Sequence, residues 1–223
     1  MMRLFQRAVS RLPRRTQQSL RRWHYARQIR RGAFRQDEPE FPLLRDWVAS
    51  GDWVLDVGAN VGRYTIELSG LVGSTGRVLS FEPVPDTFEM LVANVSLLPR
   101  DNVSLFNVAA SATTAAVAMG IPTLQSGLRN YYEAGITSDG GDVRVLSMAV
   151  DALALPQIRL IKIDVEGHEL QALRGMHQLL TRDHPRLIVE GASSDVAAFL
   201  RNLGYTFVNL PRSPNRVFTV EAR

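Results

Sequence analysis

IRLIKIDVEGHEL (residues 158–170) sets a row of charge inside an apolar strand. Leu160, Ile161, Ile163 and Val165 have the character of a buried strand. Lys162, Asp164 and Glu166 interrupt them at every second position. Side chains in a strand alternate faces, so the three charges share one face. If helices cover both faces, these charges must be paired or must look into a cavity. The plainer alternative is a half-exposed strand whose charges are solvated or salt-bridged. His168 and Glu169 follow the strand at once, and Glu190 ends the next apolar run. One histidine and four carboxylates therefore collect at a single rim.

Outward from this strand the chain alternates. DWVLDVG (52–58), GRVLSFEP (76–83), NVSLFNVAAS (102–111) and PRLIVEGA (185–192) read as strands. VGRYTIELSGLV (61–72), PDTFEMLVANVSLL (85–98), EGHELQALRGMHQLLTR (166–182) and SSDVAAFLRNLG (193–204) read as helices. YTFVNLP (205–211) and NRVFTVE (215–221) read as a closing antiparallel pair. Residues 112–150 are irregular, with strand-like pieces near Val117 and at 142–150. Strands and helices in alternation predict an α/β fold with a mostly parallel sheet and helices on both faces. Such sheets bind ligands beyond the carboxyl ends of their strands.

Composition narrows the chemistry. The chain has 223 residues, 45% hydrophobic, and no cysteine. Disulfides, cysteine nucleophiles and cysteine–zinc sites are excluded. No apolar run reaches the length of a membrane span. The net charge of +4 is divided unevenly. Residues 1–35 carry eleven arginines and no acid, whereas residues 36–223 carry fifteen basic and 22 acidic residues. An arginine-rich arm over 1–36 and one catalytic domain over 37–223 are expected. The arm reads as two short basic helices, with Leu4, Phe5, Ala8, Val9 and Leu12 on one face of the first and Leu20, Trp23 and Ile29 in the second. Residues 32–42 read as a linker into the body. Lys162 is the only lysine in the chain. An ammonium on a flexible stem differs from a guanidinium fork, so a specific need for it in this strand is plausible.

The first strand runs into a glycine turn, LDVGANVG (55–62). No Gly-Lys-Ser/Thr follows, so it is not a P-loop, and Gly58 and Gly62 do not match the dinucleotide spacing. Asp56, two residues before the turn, would repel a pyrophosphate and favour a ligand bearing an ammonium and a sulfonium. That chemistry points to S-adenosylmethionine over NAD. A tight structural turn with Asp56 capping backbone amides is the alternative. Glu82 lies twenty-four residues past Gly58, where an acid commonly grips a ribose diol. Asn107 and Ala109 are placed to line an adenine, although strand packing explains them equally well. His177 and His184 read as surface or packing residues.

The strings VLDVGANVGRYT, FEP and LIKIDVEGHELQALRG, with VLSMAVDAL before the last, resemble the FkbM family of S-adenosylmethionine-dependent methyltransferases over about residues 40–220. The resemblance implies a Rossmann-like methyltransferase fold with a seven-stranded sheet of order 3-2-1-4-5-7-6 and an antiparallel last strand. It implies cofactor contacts at Asp56, Gly58, Asn60, Gly62 and Glu82, and O-methylation of a small molecule, sugar or glycan. The arm is not part of the resemblance. Asp164 is the first candidate for general base, Glu166 and His168 the next, with Lys162 orienting the carboxylate or holding it ionised. A metal-free site is expected, although Asp164, Glu166 and Glu190 offer oxygen ligands suited to Mg²⁺. Nucleic acid is not expected as the substrate, since no Asp/Asn-Pro-Pro-Tyr type motif follows the charged strand and cytosine C5 chemistry needs a cysteine. The competing readings are an NAD-dependent oxidoreductase, and a non-catalytic protein binding RNA or membrane through its arm. Residues 126–132, SGLRNYY, belong to the expected roof of the pocket and offer Arg129, Asn130 and two tyrosines to a polar acceptor. A cytoplasmic location is expected, peripheral at an anionic membrane through residues 1–35, or mitochondrial if the arm is a presequence.

Overall fold

The computed structural model describes residues 12–138 and 140–221. The chain runs through α1 (Arg14–Arg30), α2 (Leu44–Trp47), β1 (Trp53–Val57), α3 (Arg63–Val72), β2 (Arg77–Phe81), α4 (Pro85–Val95) and β3 (Val103–Phe106). Four short strands follow: β4 (Ala109–Ala110), β5 (Ala115–Gly120), β6 (Gly135–Thr137) and β7 (Val143–Met148). The chain closes with β8 (Ile158–Ile163), α5 (Glu169–Arg174), α6 (His177–Asp183), β9 (Arg186–Glu190), α7 (Ser194–Asn202), β10 (Tyr205–Asn209) and β11 (Asn215–Val220).

The main sheet has the order β3-β2-β1-β8-β9-β11-β10. The first five strands pair in parallel, and β11 runs antiparallel to both β9 and β10. This is the expected methyltransferase order. Strand periodicity explains its two-faced core. Val54, Val78, Leu160 and Ile188 pack under Phe41, Leu44, Tyr64, Leu68 and Val72. Leu55, Leu79, Ile161 and Leu187 face the other way, onto Leu173, Leu180, Val196 and Leu200. Two residues past Val54, Val78 and Leu160, on the first face, come Asp56, Ser80 and Lys162. In register Asp56 stands opposite both Ser80 and Lys162. The apolar face therefore turns polar at its carboxyl end, where a ligand would sit.

Four expectations need correction. The strand over 102–111 splits: β3 stays in the main sheet, while Ala109 and Ala110 leave it to pair with β7. The irregular stretch is in fact a second sheet of order β4-β7-β5-β6, closed over Val84, Ala109, Met119, Ile121 and Val145. The single helix over 166–182 is two. Asp151 fixes the break, donating its N–H to the Gly175 carbonyl at 2.9 Å and accepting from the Gln178 and Leu179 N–H groups at 2.9 and 3.0 Å. The stretch 32–42, expected to be a linker and the start of the body, already packs as body from its N-terminal part, because Phe34 is buried as well as Glu40 and Phe41.

The second basic helix of the arm is α1, continuous from Arg14. Tyr25 and Ile29 pack against Phe34, Val61 and Met90, while Leu20 and Trp23 stay exposed. The first basic helix, with Leu4, Phe5, Ala8 and Val9, lies outside the described residues. No helix among the described residues is long and apolar enough to cross a membrane.

Gly175 gives this fold a sharp test. A Cβ there would lie 1.9 Å from the Ser111 carbonyl oxygen, in backbone that cannot swing aside. Gly175→Ala should cost about 2–3 kcal/mol through overpacking, seen as a lower midpoint in urea at unchanged slope. A midpoint equal to that of the parent would show that α5 and β4 do not meet as described.

Candidate active site

The glycine turn brings two strand ends into contact. Gly58 has φ 82°, and a Cβ on it would lie 1.7 Å from the Asp164 carbonyl oxygen. No side chain can stand there, so the backbones of β1 and β8 approach fully. The Asp164 N–H donates to the Val57 carbonyl at 2.9 Å, and the Gly58 and Ala59 N–H groups both donate to Phe81 at 2.9 Å. Asn60 follows in the left-handed region at φ 50°. Its N–H donates to Glu82 Oε2 at 2.9 Å, while its own Oδ1 is buried without a hydrogen-bond partner among the described residues. Gly62 opens α3 at φ 90° and meets Leu91, so its role is helix packing.

A cleft of about 900 Å³ opens above these strand ends. Asp56, Gly58, Asn60, Glu82, Ala109, Lys162, Asp164, Glu166 and His168 all line it. Of the expected site residues, Gly62 and Asn107 do not. Asn107 turns its amide back to hold the Glu82 and Pro83 carbonyls at 2.8 and 3.0 Å.

The acids are held in tension. Asp56 accepts from the Thr65 hydroxyl at 2.5 Å, which also meets Ser80 Oγ at 2.9 Å. Burial nevertheless pushes the Asp56 carboxyl up to about 6. Glu82 accepts from the Asn60 and Val84 N–H groups, and burial pushes it up to about 7. Both therefore favour a ligand that repays ionisation with positive charge or hydroxyl donors.

Lys162 answers the puzzle of the charged strand. Its Nζ is 2% exposed and donates to Asn215 Oδ1 at 2.9 Å. It lies 3.7 Å from Asp164, 3.5 Å from Glu190 and 5.3 Å from the centre of the Tyr64 ring. The Asn215 amide donates in turn to Glu38 at 3.1 Å and to Glu40. The Tyr64 hydroxyl donates to Glu38 at 2.5 Å. Burial raises Glu38 despite the Tyr64 bond and the Lys162 charge. Sequence reasoning missed Glu38, Glu40 and Asn215 because Asn215 lies 53 residues from Lys162 and 177 and 175 residues from Glu38 and Glu40, distances that no local window spans.

Asp164 and Glu190 come together above Lys162. Burial, and then the hydrogen bond and negative charge of Asp164, push Glu190 up to about 7. Glu166 is not in the strand. It occupies a left-handed turn at φ 50° on the exposed rim, raised by desolvation and by Asp164. His168 Nε2 meets Ser111 Oγ at 2.9 Å, and burial lowers its pKa. Glu169 points away, accepting from the Gly167 N–H at 2.8 Å. Among the described residues no three histidine or acidic groups are arranged to hold a metal ion.

Comparison with known proteins agrees with this geometry. The model of the Methyltransferase FkbM domain matches residues 56–207. The hexuronic acid methyltransferase AglP of Haloferax volcanii is 30% identical over 149 residues, 66% of this chain and 59% of the relative. The matched part thus spans about three-fifths of that curated relative. The crystal structure of methyltransferase FkbM from Methylobacillus flagellatus KT superposes with a TM-score of 0.55 at 19% identity, covering 76% of this chain and 43% of that one. At that identity the likeness shows the shared fold. With the family model covering more than half of its length, the chain belongs to the methyltransferase FkbM domain family.

Proposed function

We propose that the protein transfers a methyl group from S-adenosylmethionine to a hydroxyl of a sugar or glycan. One observation carries this reading: Asp56, Glu82 and Asp164 line the cleft at the strand ends with Glu190 bonded to Asp164 beside it, and burial holds Asp56, Glu82 and Glu190 above the ordinary carboxylate range. Such a site is tuned for a cationic, hydroxyl-bearing ligand. The residues fit the cofactor. The unpartnered Asn60 Oδ1 and the Asp56 carboxylate would take its ammonium, and Glu82 would take its ribose hydroxyls. The relative that acts on a hexuronic acid supports a sugar-type acceptor.

When bound, S-adenosylmethionine supplies an electrophilic methyl group on a sulfonium. Asp164 takes the proton of the attacking hydroxyl, and Glu190 shares that proton through the bond between the two carboxyls. Lys162, anchored by Asn215, keeps the pair together and favours its ionised form. A positioned base of this kind contributes about 10²–10⁴-fold. His168, lowered by burial, stays neutral near pH 7 and holds Ser111 at the roof. A peripheral location at an anionic membrane belongs to the same proposal, the exposed Leu20 and Trp23 lying on the arginine-rich arm.

Three measurements test this reading. Incubation with methyl-labelled S-adenosylmethionine and glycan extracts from cells lacking the gene should label a sugar hydroxyl; absence of transfer to any sugar fraction would overturn it. Asp164→Asn should keep the fold and the affinity for S-adenosylhomocysteine while lowering turnover by about 10²-fold or more. Undiminished turnover would remove Asp164 from the base role and leave Glu190.

The third is a pH profile. Asp56 and Glu82 hold protons more tightly in the folded protein than unfolded. Their contribution to stability is therefore full below the ordinary carboxylate range and is lost as pH rises through about 6 and about 7. Cofactor binding runs the other way, since an ammonium needs an ionised Asp56. The affinity for S-adenosylhomocysteine should climb across that same window by calorimetry, and Asp56→Asn should flatten the climb. A flat profile in the parent protein would show that these acids do not meet the cofactor.

A further inference from the structure

The cleft does not end at the catalytic rim. Tyr131 separates it from a second cavity of about 460 Å³, and Asn60, Val61 and Tyr132 line both. Asn60 and Thr87 are among its lining residues, and Asn60 Oδ1 and Thr87 Oγ1 are buried without a hydrogen-bond partner among the described residues. Beyond Tyr131 the passage widens into a trough of about 840 Å³ between α1 and the 121–131 segment.

Arginines from two separate elements line that trough. Arg14 and Arg21 come from α1, and Arg129 from the facing segment. Neither Arg14 nor Arg21 forms an ion pair among the described residues, and Arg21 lies over the Tyr131 ring at 5.6 Å. Arg129 pairs with Asp142 at 3.1 Å. The carboxylate within the trough is Asp86, already accepting from the Tyr131 hydroxyl at 2.6 Å. The trough thus presents more positive charge than the protein itself answers. Arg14 also sits in the first turn of its helix, where there is no acid and where cations are disfavoured. A local electrostatic conflict of this kind is relieved by an anion.

We propose that the trough is the far half of the acceptor site and holds a phosphate ester or diphosphate attached to the sugar that is methylated in the cleft. This rests on the methyltransferase reading above. The anion is a phosphate and not the sugar's own carboxylate, because a ring carboxylate stays with the ring in the cleft. Several guanidinium groups also suit a multiply charged phosphate, which accepts paired N–H bonds on several oxygens. The phosphate comes either from a soluble phosphorylated sugar or from a lipid-linked one.

Calorimetric titration of sodium pyrophosphate into the full chain, with and without S-adenosylhomocysteine, tests the proposal. Pyrophosphate should bind the parent protein, and Arg14→Gln with Arg21→Gln should weaken that binding by about 10-fold or more while leaving the affinity for S-adenosylhomocysteine unchanged. The single variant Arg14→Gln, at the helix end, should show the same direction with no fall in melting temperature, since a cation is disfavoured there. No pyrophosphate binding, or binding equal in parent and variants, overturns the proposal. Arginine-dependent pyrophosphate binding in a protein that fails to bind S-adenosylhomocysteine would sink the cofactor reading and leave the trough. Co-sedimentation with phosphatidylcholine–phosphatidylglycerol vesicles separates the sources. Release by pyrophosphate, and loss in the double variant, points to a lipid-linked phosphate. Sedimentation unchanged by either points to a soluble phosphorylated sugar.

Discussion

Lys162 places an ammonium beneath the strand ends at 2% exposure, and a charge so buried costs several kcal/mol unless it is paired. That requirement organises its surroundings. Asn215 must come from β11 to accept from Nζ, and Asp164 and Glu190 must close over it from β8 and β9. Asn215 needs acceptors for its own amide, which Glu38 and Glu40 supply from the segment before α2. Tyr64 joins from α3, donating to Glu38 and setting its ring under the ammonium. One cation thus ties five separate parts of the chain to the rim of the cleft. A guanidinium would not serve here. It is wider, planar and forked, while the site offers a single amide oxygen and two carboxyls around a point. The solitary lysine among twenty-five arginines follows from that shape.

The same network explains which parts of the site can be read from sequence. Asp56, Gly58, Glu82, Lys162 and Asp164 fall at strand ends, and strand ends are marked by local signals: an apolar run, then a glycine or proline, with alternation fixing the face. Glu38, Glu40 and Asn215 carry no such signal. Glu38 and Glu40 are ordinary polar residues in a loop-like context and Asn215 is the polar first residue of a strand, and only the third dimension makes them part of the Lys162 network. Glu166 shows the opposite error. Alternation extends the strand one step too far, while the Glu166–Gly167 pair adopts positive φ and turns the chain out to the rim. The break between α5 and α6 was equally hidden, since Asp151 imposes it from a distant turn.

The mostly parallel sheet was the most readable feature, because apolar runs alternating with helices imply it, while the strand order came with the resemblance carried by LDVGANVG and IKIDVEGHEL. The second sheet was the least readable. Its strands are two to six residues long, and β7 buries only alternate side chains. Single short strands of this kind are stabilised by their neighbours and not by their own composition. They matter because the sheet roofs the cleft: Ala109, Met119, Ala134 and Ile136 line its apolar side. The floor of the cleft is therefore built by the main sheet, and its roof by elements whose sequences are only weakly constrained by folding.

The arginine-rich arm belongs with those elements. Composition alone groups all eleven arginines as one basic tail, but α1 divides its share by face. Tyr25 and Ile29 fix one side of the helix to Val61 and Met90, next to the glycine turn. With that side pinned, Arg14 and Arg21 must lie along the edge nearest Tyr131, while Arg22 is drawn to Glu89 on α4 at 3.3 Å. The helix is thus held by a few apolar contacts beside the glycine turn, and it delivers charge to the trough that adjoins the same cleft. A tail selected only for net charge needs no such anchorage, since diffuse attraction to a surface tolerates any rotation of the helix. The fixed rotation of α1 ties its charge to one place on the molecule, and that place adjoins the rim where Asp164 stands.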